Sequence, residues 1–322
     1  MHRRAFVTLA AGALASGTLA GCAARATRAA SAANDAAPMD AAAFHASRRF
    51  AATPFGRIAY VERGAGPAAL FLHGFPLNGF QWRDALVRLA PYRRCIAPDL
   101  LGLGYTEVAP EQGVAPAAQA AMLAALLDAL AIDAVDVVAN DSGGAVAQLF
   151  VTRHPQRVRT LLLTNCDTEP DCPPPALQPV LAMSRAGTYV QTWLAPWLAD
   201  KTLARSPQGL GGMTYTFPEH PTDAAIDVYL TPLVRDPART HAYALALEHN
   251  ALAGIEPLLR QSRVPTRIVW GTGDPIFAAA SPDYLDRTLG ASRGVRRVAG
   301  AKLFFPEEFP ALIAEEARRL WG

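Results

Sequence analysis

Two side chains able to attack carbon, Asp141 and Ser142, stand side by side in a run of small residues, Ala139-Asn140-Asp141-Ser142-Gly143-Gly144. A carboxylate or hydroxyl that attacks a substrate leaves an ester on the protein, and water activated by a base must then release it. Before this run, Val135, Val137 and Val138 form a β-branched stretch suited to a buried strand. After it, Ala145, Val146, Leu149 and Phe150 recur at helical spacing. Strand, tight turn and helix is the setting that presents a nucleophile on a strained backbone, with small residues on either side. Ala139 and Gly143 bracket Asp141; one residue later, Asn140 and Gly144 bracket Ser142. The first frame fits better because Ala is the tighter neighbour, and Ser142 stands as the second candidate. The plainer alternative is an ordinary strand-to-helix turn in which either residue caps the helix.

The elements that would position this turn follow from the apolar pattern. Residues 57–62 alternate and run into the turn Gly64-Ala65-Gly66-Pro67, as a hairpin strand does. Residues 68–72 are fully apolar and end in His73-Gly74-Phe75-Pro76. Residues 82–89 read as a helix, 94–98 as a strand ending before the glycine-punctuated loop Asp99–Gly104, and 119–130 as a helix. A strand over 158–163 follows the elbow helix. Prolines 170, 173, 174, 175 and 179 then break the pattern. The text from 180 to about 261 is mostly helical, as an inserted cap would be. A strand over 264–270 closes on Gly271-Thr272-Gly273-Asp274, then a helix (283–289), a strand (295–298) and a closing helix (306–321). Alternation of this kind predicts a largely parallel sheet with right-handed crossovers. Ligands then sit at the carboxyl ends of the strands, where His73-Gly74, Asp99 and Asp141 all fall.

The 322 residues suit one large α/β domain with an insertion, and a hydrophobic content of 51% allows a sizeable core. A net charge of +2 offers no stripe for nucleic acid. Arg3-Arg4, an apolar run, and small residues at its end read as an export signal over residues 1–22. The arginine pair resembles a twin-arginine signal, and Leu19-Ala20-Gly21-Cys22 resembles a bacterial lipoprotein box. By that resemblance Cys22 carries lipid and anchors the protein to a membrane of the cell envelope. The alternative is a plain cleaved signal. Residues 23–50, rich in Ala, are expected to be a flexible tether. Cys166 and Cys172 are close enough in sequence to pair, and Cys95 reads as a buried apolar residue. No Cys/His spacing suggests a metal, and no cofactor motif is present.

His73-Gly74-Phe75-Pro76, the Asp99–Gly104 loop, the elbow at Asp141 and Gly271-Thr272-Gly273-Asp274, in this order, resemble the α/β-hydrolase superfamily over residues 51–322. The cap would be the insertion at about 168–262. An Asp in the nucleophile slot is similar to the haloalkane dehalogenase and epoxide hydrolase branch, and the His-Gly-Phe-Pro form leans to the epoxide side. The resemblance implies Asp141 as nucleophile, Asp274 as the acid that orients a histidine, and the N–H groups of Phe75 and Ser142 as oxyanion donors. His73 would be structural. A dehalogenase of this branch would carry Trp and Asn where Ser142 and Phe75 stand, so halide release is disfavoured. Epoxide hydrolases protonate the epoxide from cap tyrosines, for which Tyr189, Tyr215, Tyr229 and Tyr243 are available. Trp193 and Trp197 read as an apolar cap face.

One part is missing. The family's histidine follows the last strand, and Leu303 stands there. The histidines left in the cap are His220, His241 and His249, of which His249, beside Glu248 and Asn250, is the best candidate for a displaced base. His154, before Pro155, reads as a helix-end residue. Two functions follow: a hydrolase acting through Asp141 on a small, fairly apolar ester, epoxide or carbon–halogen bond, or a non-catalytic member of the fold that keeps the pocket and binds a ligand. A membrane-tethered interaction domain has only the signal and tether behind it.

Overall fold

The computed structural model describes residues 39–322, so the expected export signal, lipid site and most of the tether lie outside the described residues. The last part of that tether is folded. Helix α1 (Ala41–Ala46) is capped by Asp40, whose side chain accepts from the Ala43 N–H at 2.7 Å. Met39 and Phe44 are buried in the core. Strand β1 (Arg49–Thr53) follows, paired antiparallel with β2 (Gly56–Arg63). The expectation of a tether to residue 50 is corrected on this point. β1 carries only Ala51 inward, and such a short edge strand shows no apolar alternation to read.

The remaining strands are β3 (Ala68–Leu72), β4 (Arg94–Pro98), β5 (Val135–Asp141), β6 (Val158–Cys166), β7 (Thr266–Gly271) and β8 (Ser292–Val298). They form one sheet of eight in the order β1-β2-β4-β3-β5-β6-β7-β8. β2 is antiparallel to both its neighbours, and every pairing from β4 to β8 is parallel. All residues of β3 and β5 are buried, as expected of strands covered on both faces, and the Asp136 carboxylate within β5 is paired with Arg93 and Arg159. Helices α2 (Arg83–Leu89), α3 (Pro116–Ala129) and α4 (Ser142–Arg153) cover the sheet. Such a doubly covered, mostly parallel sheet is the α/β-hydrolase architecture.

Between β6 and β7 the described elements are helical: α5 (Gln178–Arg185), α6 (Ala195–Ala199), α7 (Lys201–Arg205), α8 (Leu210–Thr214), α9 (Asp223–Arg235), α10 (Pro237–Ala246) and α11 (Glu256–Gln261). After β7 come α12 (Ser281–Thr288), α13 (Phe305–Glu308) and α14 (Pro310–Trp321). Pro310 divides what the sequence reads as one closing helix, because a proline ring disfavours helical backbone at the residue before it. A buried cluster fastens the cap to the sheet. Glu307 accepts from Arg83 Nη1 at 2.6 Å, from the Tyr215 hydroxyl at 2.6 Å and from the Tyr229 hydroxyl at 2.9 Å. Two of these partners belong to the cap and one to α2. A buried carboxylate is stable only with its acceptor positions filled in this way.

Candidate active site

The turn from β5 into α4 decides which residue is presented. Asp141 has φ 55° and ψ −139°, a left-handed backbone rare outside glycine, and Ser142 is the first residue of α4. Two glycines make room for it. A Cβ on Gly74 would lie 2.2 Å from Asp141 Oδ2, and one on Gly143 would lie 2.4 Å from the His73 carbonyl oxygen. The N–H groups of Phe75 and Ser142 face the Asp141 carboxyl, where the resemblance places oxyanion donors. Oδ2 is buried with no hydrogen-bond partner. Burial first, and the nearby Asp167 and Asp274 carboxylates next, push the pKa of this carboxyl well above the usual carboxylate range.

Asp141 and Ser142 lie on the wall of a cavity of about 110 Å³. Its remaining lining is mostly apolar, with Phe75, Phe277, Leu303, Trp193 and Trp197 among the large side chains. The two tryptophans pack with ring centroids 5.5 Å apart and form an apolar cap face.

The other expected site residues are placed as follows. Asp274, after β7, accepts from Asn165 Nδ2 at 2.7 Å and from the Ile276 N–H at 2.8 Å, and burial raises its pKa to about 6. The side chain that hydrogen-bonds it is thus an asparagine, not a histidine. His249 lines the mouth of the cavity but is exposed and hydrogen-bonds neither Asp141 nor Asp274. Its neighbours hold it there: Glu248 pairs with Arg185, and Asn250 donates to the Glu169 carbonyl at 2.7 Å. The expectation of His249 as a displaced base is corrected accordingly. His73 is buried. Its Nε2 accepts from the Leu100 N–H at 3.0 Å, so Nδ1 carries the proton and donates to the Gly74 carbonyl at 3.0 Å. Burial lowers its pKa, and this neutral ring shapes the loop. His220 stacks on Tyr215 and the His241 ring accepts from the Val190 N–H, both away from Asp141. Cys166 and Cys172, whose spacing leaves pairing open, are free thiols.

Of the four tyrosines, Tyr215 and Tyr229 are committed to Glu307. Tyr189 lines the cavity, and the Tyr243 hydroxyl is turned to Ser142. Leu303 is buried in the cavity wall, with its carbonyl accepting from Asn140 Nδ2 at 3.1 Å. Asn140 also donates to Thr164 Oγ1 and accepts from Gln81. One residue escapes a reading of the sequence: Asp167. It is buried, lines the cavity, and stands one position beyond β6, whose Cys166 is the register partner of Asp141. The signal was the rule that already singles out Asp99 and Asp141, a polar residue at a strand's carboxyl end. The strand expected to stop at residue 163 runs on to Cys166, and that hid it.

The sequence profile of the alpha/beta hydrolase fold family matches residues 67–309, and the chain belongs to this family. A haloalkane dehalogenase of Mesorhizobium japonicum is 45% identical over 102 residues, which is 31% of this chain and 33% of that protein. Epoxide hydrolase 2 of Siraitia grosvenorii is 43% identical over 101 residues, 31% of this chain and 32% of its own. The chain therefore matches about a third of the length of these relatives. The crystal structure of Cfl2 from Burkholderia cenocepacia superposes with a TM-score of 0.70 and 25% identity, covering 85% of this chain and 95% of the other. The epoxide hydrolase CorEH, at a TM-score of 0.68 and 22% identity over 85% and 98%, has the same fold.

Proposed function

We propose that this protein hydrolyses a small apolar substrate, an epoxide before a haloalkane or an ester, through a covalent ester on Asp141. The observation that carries the reading is the left-handed Asp141 at the strand-to-helix turn, its carboxyl set against two N–H donors in an apolar cavity. A binding pocket has no need of a strained acidic residue at that point. Tyr189, whose hydroxyl has no hydrogen-bond partner among the described residues, supplies a neutral hydroxyl to the opening epoxide oxygen. Burial raises its pKa, so it arrives protonated. Water then attacks the ester carbonyl, and the Phe75 and Ser142 N–H groups take up the negative charge of the intermediate. Asp274, held by Asn165, adds negative charge that raises the pKa of Asp141 further, after burial and Asp167.

The test is intact-mass analysis and product assay with styrene oxide, n-hexyl bromide and p-nitrophenyl acetate, with Asp141→Asn as control. A mass increase on Asp141 or diol release from styrene oxide is expected. Neither adduct nor product from any of the three would sink the reading. A second reading, a ligand-binding member without turnover, is favoured by Leu303 filling the place of the base. It predicts that styrene glycol raises the Tm while no probe is consumed.

Export and lipid attachment at Cys22 belong to the same proposal, supported by Arg3-Arg4 and Leu19-Ala20-Gly21-Cys22. Labelling with a fatty-acid analogue should mark the wild type in a bacterial host and leave Cys22→Ala unmarked.

A further inference from the structure

We infer that Asp167 is the base that activates the hydrolytic water at the Asp141 ester, doing directly what a histidine does elsewhere. The inference rests on the reading of Asp141 as nucleophile.

Asp141 and Cys166 are paired across adjacent parallel strands, so Asp167 leaves β6 level with the elbow and opens on the same cavity. Its carbonyl accepts from Gln148 Nε2 at 2.8 Å, which fixes the backbone against α4. The Cys172 thiol lies against its carboxyl. The groups that face it are Asp141 on β5, Cys166 on β6, Asp171 and Cys172 on the loop that follows, and Tyr243 on α10. None is cationic, so nothing ties Asp167 into an ion pair, and a carboxylate free to take a proton is left beside the elbow. Burial sets its pKa at about 7, near the value that serves a general base at neutral pH. His249, the nearest alternative, is out on the lip.

The proton balance closes. Asp167 takes a proton from water, and the hydroxide adds to the Asp141 ester carbonyl. Collapse breaks the ester C–O bond. The departing alkoxide takes the proton back from Asp167, leaving Asp141 as a free acid and Asp167 as a carboxylate. Burial pushes both carboxyls up, so one proton shared between the two suits a site with no cation beside it. For the next cycle Asp141 hands its proton to Asp167, which returns it through Tyr189 to the opening epoxide.

The experiment follows the Asp141 adduct of styrene oxide by intact mass over time. In the wild type the adduct is expected to decay with a rate that rises through pH about 7. In Asp167→Asn it should form stoichiometrically and decay about 10²–10⁴-fold more slowly, the usual worth of a general base. Asp167→Glu should recover part of the rate. Adduct formation by Asp167→Asn itself reports a folded elbow. If that variant does not fold, the wild-type profile decides, and a decay rate flat from pH 5 to 9 overturns the inference. Equal decay in wild type and Asp167→Asn overturns it too, while leaving Asp141 as nucleophile. No adduct and no diol in the wild type overturns both.

Discussion

The side chain of Asn140 holds the main-chain carbonyl of Leu303 at 3.1 Å, so the residue before Asp141 fixes the loop from which a histidine at position 303 would reach Asp141. The same amide group donates to Thr164 Oγ1 and to the Asn165 carbonyl. The loop is thus held by its backbone, whatever side chain stands at 303.

Leu303→His should therefore place an imidazole in the cavity without moving the loop. We expect it to shorten the lifetime of an Asp141 adduct, by up to about 10²–10⁴-fold, with a pH profile in the histidine range near about 6.5. Time-resolved intact mass after styrene oxide is the check. An unchanged lifetime in a folded variant would show that the ring does not reach the ester.

Gly74→Ala should silence the site. The added methyl would stand 2.2 Å from Asp141 Oδ2 and 2.4 Å from its Cβ, so either the carboxyl or the loop must shift. Adduct formation should fall by about 10²-fold or more, since a misplacement of about 1 Å has that effect. Overpacking should lower stability by about 1–3 kcal/mol, measurable by urea unfolding. Normal adduct yield would contradict the close approach.

Stability should carry the mark of the raised carboxylates. Asp274 and Asp167 titrate at about 6 and about 7 when folded, against about 3.9 in an unfolded chain. Between pH 4 and 7 the folded state therefore keeps protons that the unfolded state has lost, and these groups make stability fall as pH rises. His73, lowered by burial, acts in the opposite sense below about 6.5, so the comparison must be made between variants. The stability of Asp167→Asn relative to wild type should increase from pH 4 to 7 and then level off. A constant difference across that range would refute the raised value.

Glu307→Ala should destabilise the protein by about 3–5 kcal/mol, because it leaves Arg83 buried without its carboxylate and two tyrosine hydroxyls without their acceptor. Arg83→Met combined with Glu307→Leu should lose less than the sum of the single changes, since no buried charge is then stranded. Chemical denaturation of the four proteins completes the cycle. Additive losses would mean that Arg83 and Glu307 act independently.

The sheet was legible because its central strands announce themselves: Ala68–Leu72 is an apolar run and Val135, Val137 and Val138 a β-branched one, each followed by turn residues. The elbow was legible for the same reason, with Asp141 favoured by its tighter neighbours and found on the left-handed backbone. The base was not. Sequence spacing can nominate His249 because it lies near the cap's return, but only packing shows that Glu248 and Asn250 are tied outward and leave it on the lip. Asp167 had no motif around it. Its place depends on how far β6 extends past residue 163, and the pairing with β5 settles that. The edge strand Arg49–Thr53 was hidden by alanines that suit a linker equally well.

The Glu307 cluster also sets how molecules come and go. Lifting the cap would pull Tyr215 and Tyr229 together off a carboxylate that Arg83 keeps beneath it, so both hydroxyl contacts must break before the roof opens. His249, exposed on the cavity lining, needs no such rupture to move, since exposed side chains reorient in picoseconds to nanoseconds.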